Sequence, residues 1–318
     1  MRRTVLSLIA RAGITVFAFW WVLRLVDLNS LRGTLASADC SWLLAGVVAF
    51  TVAQFGCIAR WSLLVPAHPS LTWPFLADSY FVAQFFSMFL PTTIGGDAIR
   101  GYDLIKTTGE WKQSLASILV DRLAGFVGFL VFALAAWFAF PPARKIPLVR
   151  TAFLGYCLLV FVTFAVLGSR RVLHAMLKPF GKIGLGQLQS HARQFQEALR
   201  AYLQQPKKML AALGVTVIIE VFAILMFVFV SKALRLPIPL PYLVLIVPII
   251  ITISQIPISL NGWGIREGAT VLFLAPIGIG PEEALSLSLL CAAIPLLSGV
   301  VGAVLFLLRR QRKVRKTP

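Results

Sequence analysis

Residues 91–100 read Pro-Thr-Thr-Ile-Gly-Gly-Asp-Ala-Ile-Arg, and residues 257–267 read Pro-Ile-Ser-Leu-Asn-Gly-Trp-Gly-Ile-Arg-Glu. Set on Pro91 and Pro257, the two stretches match at Gly96 and Gly262, at Ile99 and Ile265, and at Arg100 and Arg266. Proline removes a backbone donor and clashes with the preceding helical turn, and glycine weakens helix further. Each stretch therefore predicts an apolar helix that stops half-way and a second half-helix that starts again. The chain thus carries two broken segments, 74–108 and 240–280, and their likeness predicts an internal repeat.

Outward from these breaks, continuous apolar runs lie at roughly 6–26, 42–65, 113–139, 149–168, 209–231 and 283–308. A bilayer crossing takes about 20 such residues. The 318 residues are 58% hydrophobic and 13% charged, with mean hydropathy +0.86; ordinary soluble domains are about 25% charged. The fold class expected is an all-α polytopic membrane protein of about six full spans and two broken, re-entrant hairpins. A single integral membrane domain covers 1–308, and a basic tail 309–318. Arg11 and Arg24 interrupt the first run and no small-residue cleavage site follows it, so it reads as a retained span and not a signal peptide.

Charge placement orients the chain. Segment 169–208 carries Arg170, Arg171, Lys178, Lys182, Arg193, Arg200, Lys207 and Lys208 against Glu197 alone, and the tail carries Arg309, Arg310, Arg312, Lys313, Arg315 and Lys316. The positive-inside rule puts both, with Arg2 and Arg3, in the cytoplasm. A full crossing at 74–90 would leave 169–208 outside. A dip from the cytoplasm and back keeps it inside. The second broken segment then dips from the other face or crosses twice, and the repeat is inverted. Arg144, Lys145 and Arg150 fall outside in this count, against the bias. Within 169–208, Leu188, Ala192, Phe195, Leu199 and Tyr202 share one helical face. They suit either an interfacial helix or a hairpin packed on the membrane body.

The net charge of +18 sits in loops and termini, where lipid headgroups meet it, and no nucleic-acid module is present. Cys40, Cys57, Cys157 and Cys291 are widely spaced, and His68, His174 and His191 lie in polar connections. Neither set has metal or catalytic spacing. No metal, cofactor or catalytic residue is expected.

A helix that restarts after a break leaves backbone N–H groups and its positive dipole end open to an anion. Arg100 and Arg266 are expected in the first turns of the restarted helices. Asp121-Arg122 and Glu220 lie inside apolar spans, where each charge costs about 2.5–3.5 kcal/mol on insertion scales and must pair or line a cavity. The candidate set is Gly96, Asp97, Arg100, Asp121, Arg122, Glu220, Gly262, Gly264, Arg266 and Glu267. The arginines suit a phosphate. The carboxylates suit a cationic group on the same ligand, or protons that drive a cycle. The alternative is a salt-bridge network that only holds half-helices together.

At these residues the chain resembles the transmembrane region of lysylphosphatidylglycerol synthases and its stand-alone relatives. The likeness rests on Pro91, Gly96, Asp97 and Arg100, on Asp121-Arg122 with Asp where Glu is usual, and on Gly262, Gly264, Arg266 and Glu267. Asn261 stands where glycine is frequent. It runs in order over roughly 10–308. The resemblance implies a lipid-translocating, flippase-like domain; the charge count adds a cell-membrane location with both termini cytoplasmic, and the two arginines add membrane lipids with a phosphate headgroup as the expected partners. In the full-length synthases a separate cytosolic domain transfers an amino acid to phosphatidylglycerol. The tail after the last span is short, so no such transfer is expected. Transport of a phospholipid or polyprenyl-linked lipid is the leading reading. An accessory protein for a lipid- or glycan-modifying enzyme, acting through 169–208, and an intramembrane lipid-phosphate enzyme are the alternatives. A homo-oligomer or a partner enzyme is compatible with all three.

Overall fold

The structure is a computed structural model that describes residues 13, 15–17, 20, 21, 23, 24, 26–89, 94–168, 197–202, 204–256 and 259–314. The main helices, labelled α1 to α10, are Leu28–Ala36, Cys40–Leu64, Trp73–Phe89, Ile94–Thr108, Trp111–Ala139, Pro147–Gly168, Pro206–Ala233, Leu240–Gln255, Ile265–Leu274 and Pro281–Val314. No strand occurs among the described residues. Local chemistry marks the helix starts. Asp39 accepts from Ser41 N at 2.8 Å to cap α2, Pro206 opens α7, and Pro281 with Glu282 and Glu283 opens α10.

Five of these helices, α2, α5, α6, α7 and α10, are long and apolar enough to cross a membrane. Their outer faces are apolar at helical spacing: Leu44, Val48, Val52 and Phe55 stay exposed on α2, and Val300, Val304 and Leu307 on α10. Water would not tolerate such stripes, but lipid does. The chain is an all-α polytopic protein, as expected. The sixth expected span, 6–26, falls mostly outside the described residues.

Both broken segments are helix pairs. Helices α3, α4, α8 and α9 have 17, 15, 16 and 10 residues, or about 15–25 Å each, short of the roughly 30 Å hydrocarbon core. Pro91 and Pro257 themselves lie outside the described residues. Helix α3 packs along α4, and α8 packs along α9.

Packing between the two halves is exchanged. Helix α2 lies on α7, α3 on α10, and α8 on α5. Each half thus lends its first hairpin helix to the long span that follows the other half's hairpin. The partners run antiparallel. Asp39 N donates to Ala233 O at 2.9 Å and Arg60 Nη1 to Thr216 Oγ1 at 3.2 Å, which fixes the α2–α7 direction. Asp78 meets Arg309, and Met88 meets Gly299, along α3 and α10. Tyr242 meets Phe140, and Gln255 meets Arg122, along α8 and α5. A residue set touching its own counterpart, with the other contacts swapped, is the signature of a two-fold axis.

The large apolar core centres on α8, which buries Tyr242, Leu243, Leu245, Ile246, Val247, Ile249 and Ile250 in it, and takes in Phe129 and Ala133 of α5 and Phe153 and Tyr156 of α6. From the basic segment, Leu199 is buried with Leu64, Ala116, Val120 and Ala212, and Tyr202 Oη donates to Leu64 O at 2.7 Å. That described end packs on the membrane body; the face at Leu188, Ala192 and Phe195 lies outside the described residues.

Candidate functional site

The two hairpins and the α2–α7 crossing enclose one cavity of about 420 Å³. Seven of the ten candidate residues line it: Gly96, Asp97, Arg100, Asp121, Arg122, Glu220 and Arg266. Arg100 and Arg266, one from each half, therefore face the same space.

The charges form an alternating chain across three helices that ends on an amide of a fourth. Arg60 on α2 donates Nε to Asp121 Oδ1 at 2.7 Å. Arg100 on α4 donates Nη1 to the other oxygen of Asp121 at 3.1 Å and Nη2 to Asp97 Oδ1 at 2.5 Å. Arg122 on α5 donates Nε to Asp97 Oδ2 at 2.9 Å and Nη1 to Gln255 Oε1 on α8 at 2.6 Å. Exposure rises along the chain: the Arg100 and Asp121 side chains are each 5% exposed, and Arg122 is 34% exposed. The chain thus runs from a buried end at Arg60 and Asp121 to a partly exposed end at Arg122. The Arg100 guanidinium also lies 5.0 Å from the Trp61 ring and 5.4 Å from Tyr80, faces that stabilise a desolvated cation.

Asp121 and Arg122 do not pair with each other. Neighbours in a helix point about 100° apart, so Asp121 turns to α2 and α4 while Arg122 turns to Asp97 and α8. Arg100 sits one turn later than expected, because α4 already starts at Ile94. It reaches Asp97 across one turn, at i,i+3.

The second break is closed differently. Glu267 is fully buried and accepts from Gly264 N at 2.6 Å through Oε2. Its Oε1 accepts from Arg266 Nε at 3.0 Å and Nη2 at 2.6 Å. The N-terminal N–H expected to face an anion is therefore taken by the protein's own carboxylate. Gly262, Gly264 and Glu267 build the turn, and Arg266 alone of that motif lines the cavity. Gly262 has φ +75°, and a Cβ there would stand 2.6 Å from Ser254 O. Gly96 is required by closeness, since a Cβ would strike Ser87 Oγ and stand 2.6 Å from Ala83 O on α3.

A family model described as the lysylphosphatidylglycerol synthase TM region matches residues 8–314. The chain belongs to this family. No curated protein matches the chain. As a lysylphosphatidylglycerol synthase TM-region protein, it is a multi-pass membrane protein of a lipid-related family, and the three motifs read from the sequence all fall inside the matched region.

Sequence reasoning missed Arg60, Gln54, Tyr80 and Gln255, all of which line the cavity of this family member. Arg60 had a usable signal: it is an arginine within the apolar run 42–65, subject to the same cost that singles out Asp121 and Glu220. Gln54 and Glu220 share a further property. Gln54 Nε2 and Glu220 Oε2 are buried and have no hydrogen-bond partner among the described residues. Two unsatisfied polar atoms in one cavity wall mark a place built to meet something else.

Proposed function

We propose that this protein moves a lipid with a phosphate headgroup between the leaflets of the cell membrane, with both chain ends in the cytoplasm and the broken hairpins re-entrant. What carries the reading is one cavity in which four guanidiniums, from Arg60, Arg100, Arg122 and Arg266, meet under two halves packed by exchange. Irregular backbone at membrane depth is tolerated where it lines a cavity, and inverted halves around such a site suit alternating access. Arg122 and Arg266 are the groups a phosphate would reach, since they are more exposed than Arg60 and Arg100. The membrane lipid itself is the proposed partner, and no bond is made or broken in the cycle, so no catalytic residue is assigned.

The experiment is headgroup-labelled lipid movement by purified protein in liposomes, with Arg122→Ala and Arg266→Ala as variants. Arg100→Ala is a poor probe because it would strip Asp121 and Asp97 of a shared partner. Movement by the wild type, with at least a tenfold loss in both folded variants, is the expected result. No movement of any phosphate lipid by the wild type would overturn the proposal and favour an accessory role.

A further inference from the structure

Glu220 is the carboxylate that the charge chain does not absorb. It lies on α7, is 2% exposed, makes no salt bridge among the described residues and keeps Oε2 without a hydrogen-bond partner. Its side chain rests on the face of α5 where Gly125 and Gly128 leave room: a Cβ at Gly128 would stand 2.9 Å from Glu220 Cγ. The ionisable groups facing it from the packed helices are Arg60 and Cys57 on α2 and Tyr156 on α6; Asp121 of α5, paired with Arg60, and Cys291 of α10 line the same cavity.

Two features give this residue a special place. The first is position. The contacts Asp39–Ala233 and Arg60–Thr216 set an antiparallel register on α2 and α7, and that register brings Gln54 opposite Glu220. The spacing that carries Arg100 onto Arg266 also carries Gln54 onto Glu220. The axis relating the halves therefore passes between these two side chains. A group on the axis of an inverted repeat is equally distant from both faces when the halves exchange conformations. The second feature is charge balance. The four cavity guanidiniums are matched by Asp97, Asp121, Glu267 and Glu220. With Glu220 ionised the site is neutral. With a proton on Glu220 it carries one positive charge, which one phosphodiester anion neutralises.

We infer that Glu220 is the site of a co-transported proton, taken up with the anionic headgroup and released with it on the other side. The inference rests on the transport reading above. The step is a protonation of the Glu220 carboxylate, with no electron transfer and no other bond changed. Because Oε2 has no partner among the described residues, no hydrogen bond to it has to break.

The test uses purified full-length protein in detergent, with dihexanoyl phosphatidylglycerol as the probe. Binding heats are measured in two buffers of equal pH and different ionisation enthalpy, for the wild type and Glu220→Gln. The expected result is uptake of close to one proton per lipid bound by the wild type and none by the variant. Binding with no proton uptake by the wild type overturns the inference and leaves transport standing. It overturns it too if Glu220→Gln keeps the uptake, or if the variant, tested also with dihexanoyl phosphatidylethanolamine, loses only affinity for that aminated headgroup, which would make Glu220 a cation contact. If no phospholipid binds and the wild type moves none in liposomes, the transport reading fails and takes this one with it. If Glu220→Gln does not fold, Glu220→Asp replaces it: uptake with a shifted pH dependence is expected, and an unchanged pH dependence overturns the inference.

Discussion

Hairpin α3–α4 carries Asp78, Asp97, Arg100, Asp103 and Lys106, whereas hairpin α8–α9 carries only Arg266 and Glu267 as charged side chains. Their partners follow suit. On the α10 side of the first hairpin, Arg309 donates Nε to Asp78 at 2.6 Å and Nη1 to Asp103 at 2.8 Å. The spacing that relates the halves turns those three positions into Ala143, Val244 and Ala269. It also turns Asp121 and Arg122 into Leu287, which is buried in the large core, and Ser288. The lesson is that packing and chemistry can separate within a repeat. Both halves keep the exchanged helix contacts, which need only shape. The first half carries most of the ion pairs, whereas the second brings fewer charges, Glu220 and Arg266, to the same cavity and sets them beside the apolar helix α8.

Substitutions can break or sharpen this contrast, and the largest effect is expected at Asp121. Asp121→Ala leaves Arg60 and Arg100 buried without their common partner, a loss of about 3–5 kcal/mol. Reversible unfolding in mixed detergent measures it, and a loss below about 1 kcal/mol would show that the chain is not structural. Next comes Glu267→Gln, which weakens the cap on Gly264 N and the contact to Arg266. A loss of about 2–3 kcal/mol is expected by the same assay, together with cleavage of the turn by protease before the rest of the molecule. Arg309→Ala opens a half-exposed pair of contacts and should cost about 1 kcal/mol, a difference that shrinks in high salt. The smallest effect belongs to Ser288→Ala. Its hydroxyl is buried without a partner among the described residues, so removal should change stability by less than about 0.5 kcal/mol or raise it slightly. A large loss there would mean that the polar contacts of the second half extend to α10.

Long apolar runs at 42–65, 113–139, 149–168, 209–231 and 283–308 made the spans legible, because a bilayer demands length and little else. Proline and glycine at the two breaks made the hairpins legible, because few residues stop a helix so firmly. The membership of the site was partly legible as well: a charge such as Glu220 inside a span must face protein or water. Who pairs with whom was not. Asp121 and Arg122 are adjacent in the chain and take different partners, Asp121 reaching α2 and Arg122 reaching α8 while both touch α4, whereas Arg266 and Glu267 are adjacent and do pair, since Glu267 turns back to cap its own helix. Arg60 escaped because the depth of a residue near a span's end depends on the tilt and stagger of its neighbours, and these are set by tertiary contacts. The exchanged packing was invisible for the same reason. Two likeness motifs suggest a repeat but not which helix of one half lies on which helix of the other.

The ion pairs at Arg309 also impose an order of assembly. Ribosomal synthesis delivers α3 and α4 early and α10 after every other helix described here. Until α10 is in place, Asp78 and Asp103 have no Arg309 to meet, and α3 rests on α2 and α4 without its antiparallel partner. Hairpin α8–α9 has no such delay, for α5 is already there when α8 emerges. The first hairpin made is thus the last one finished.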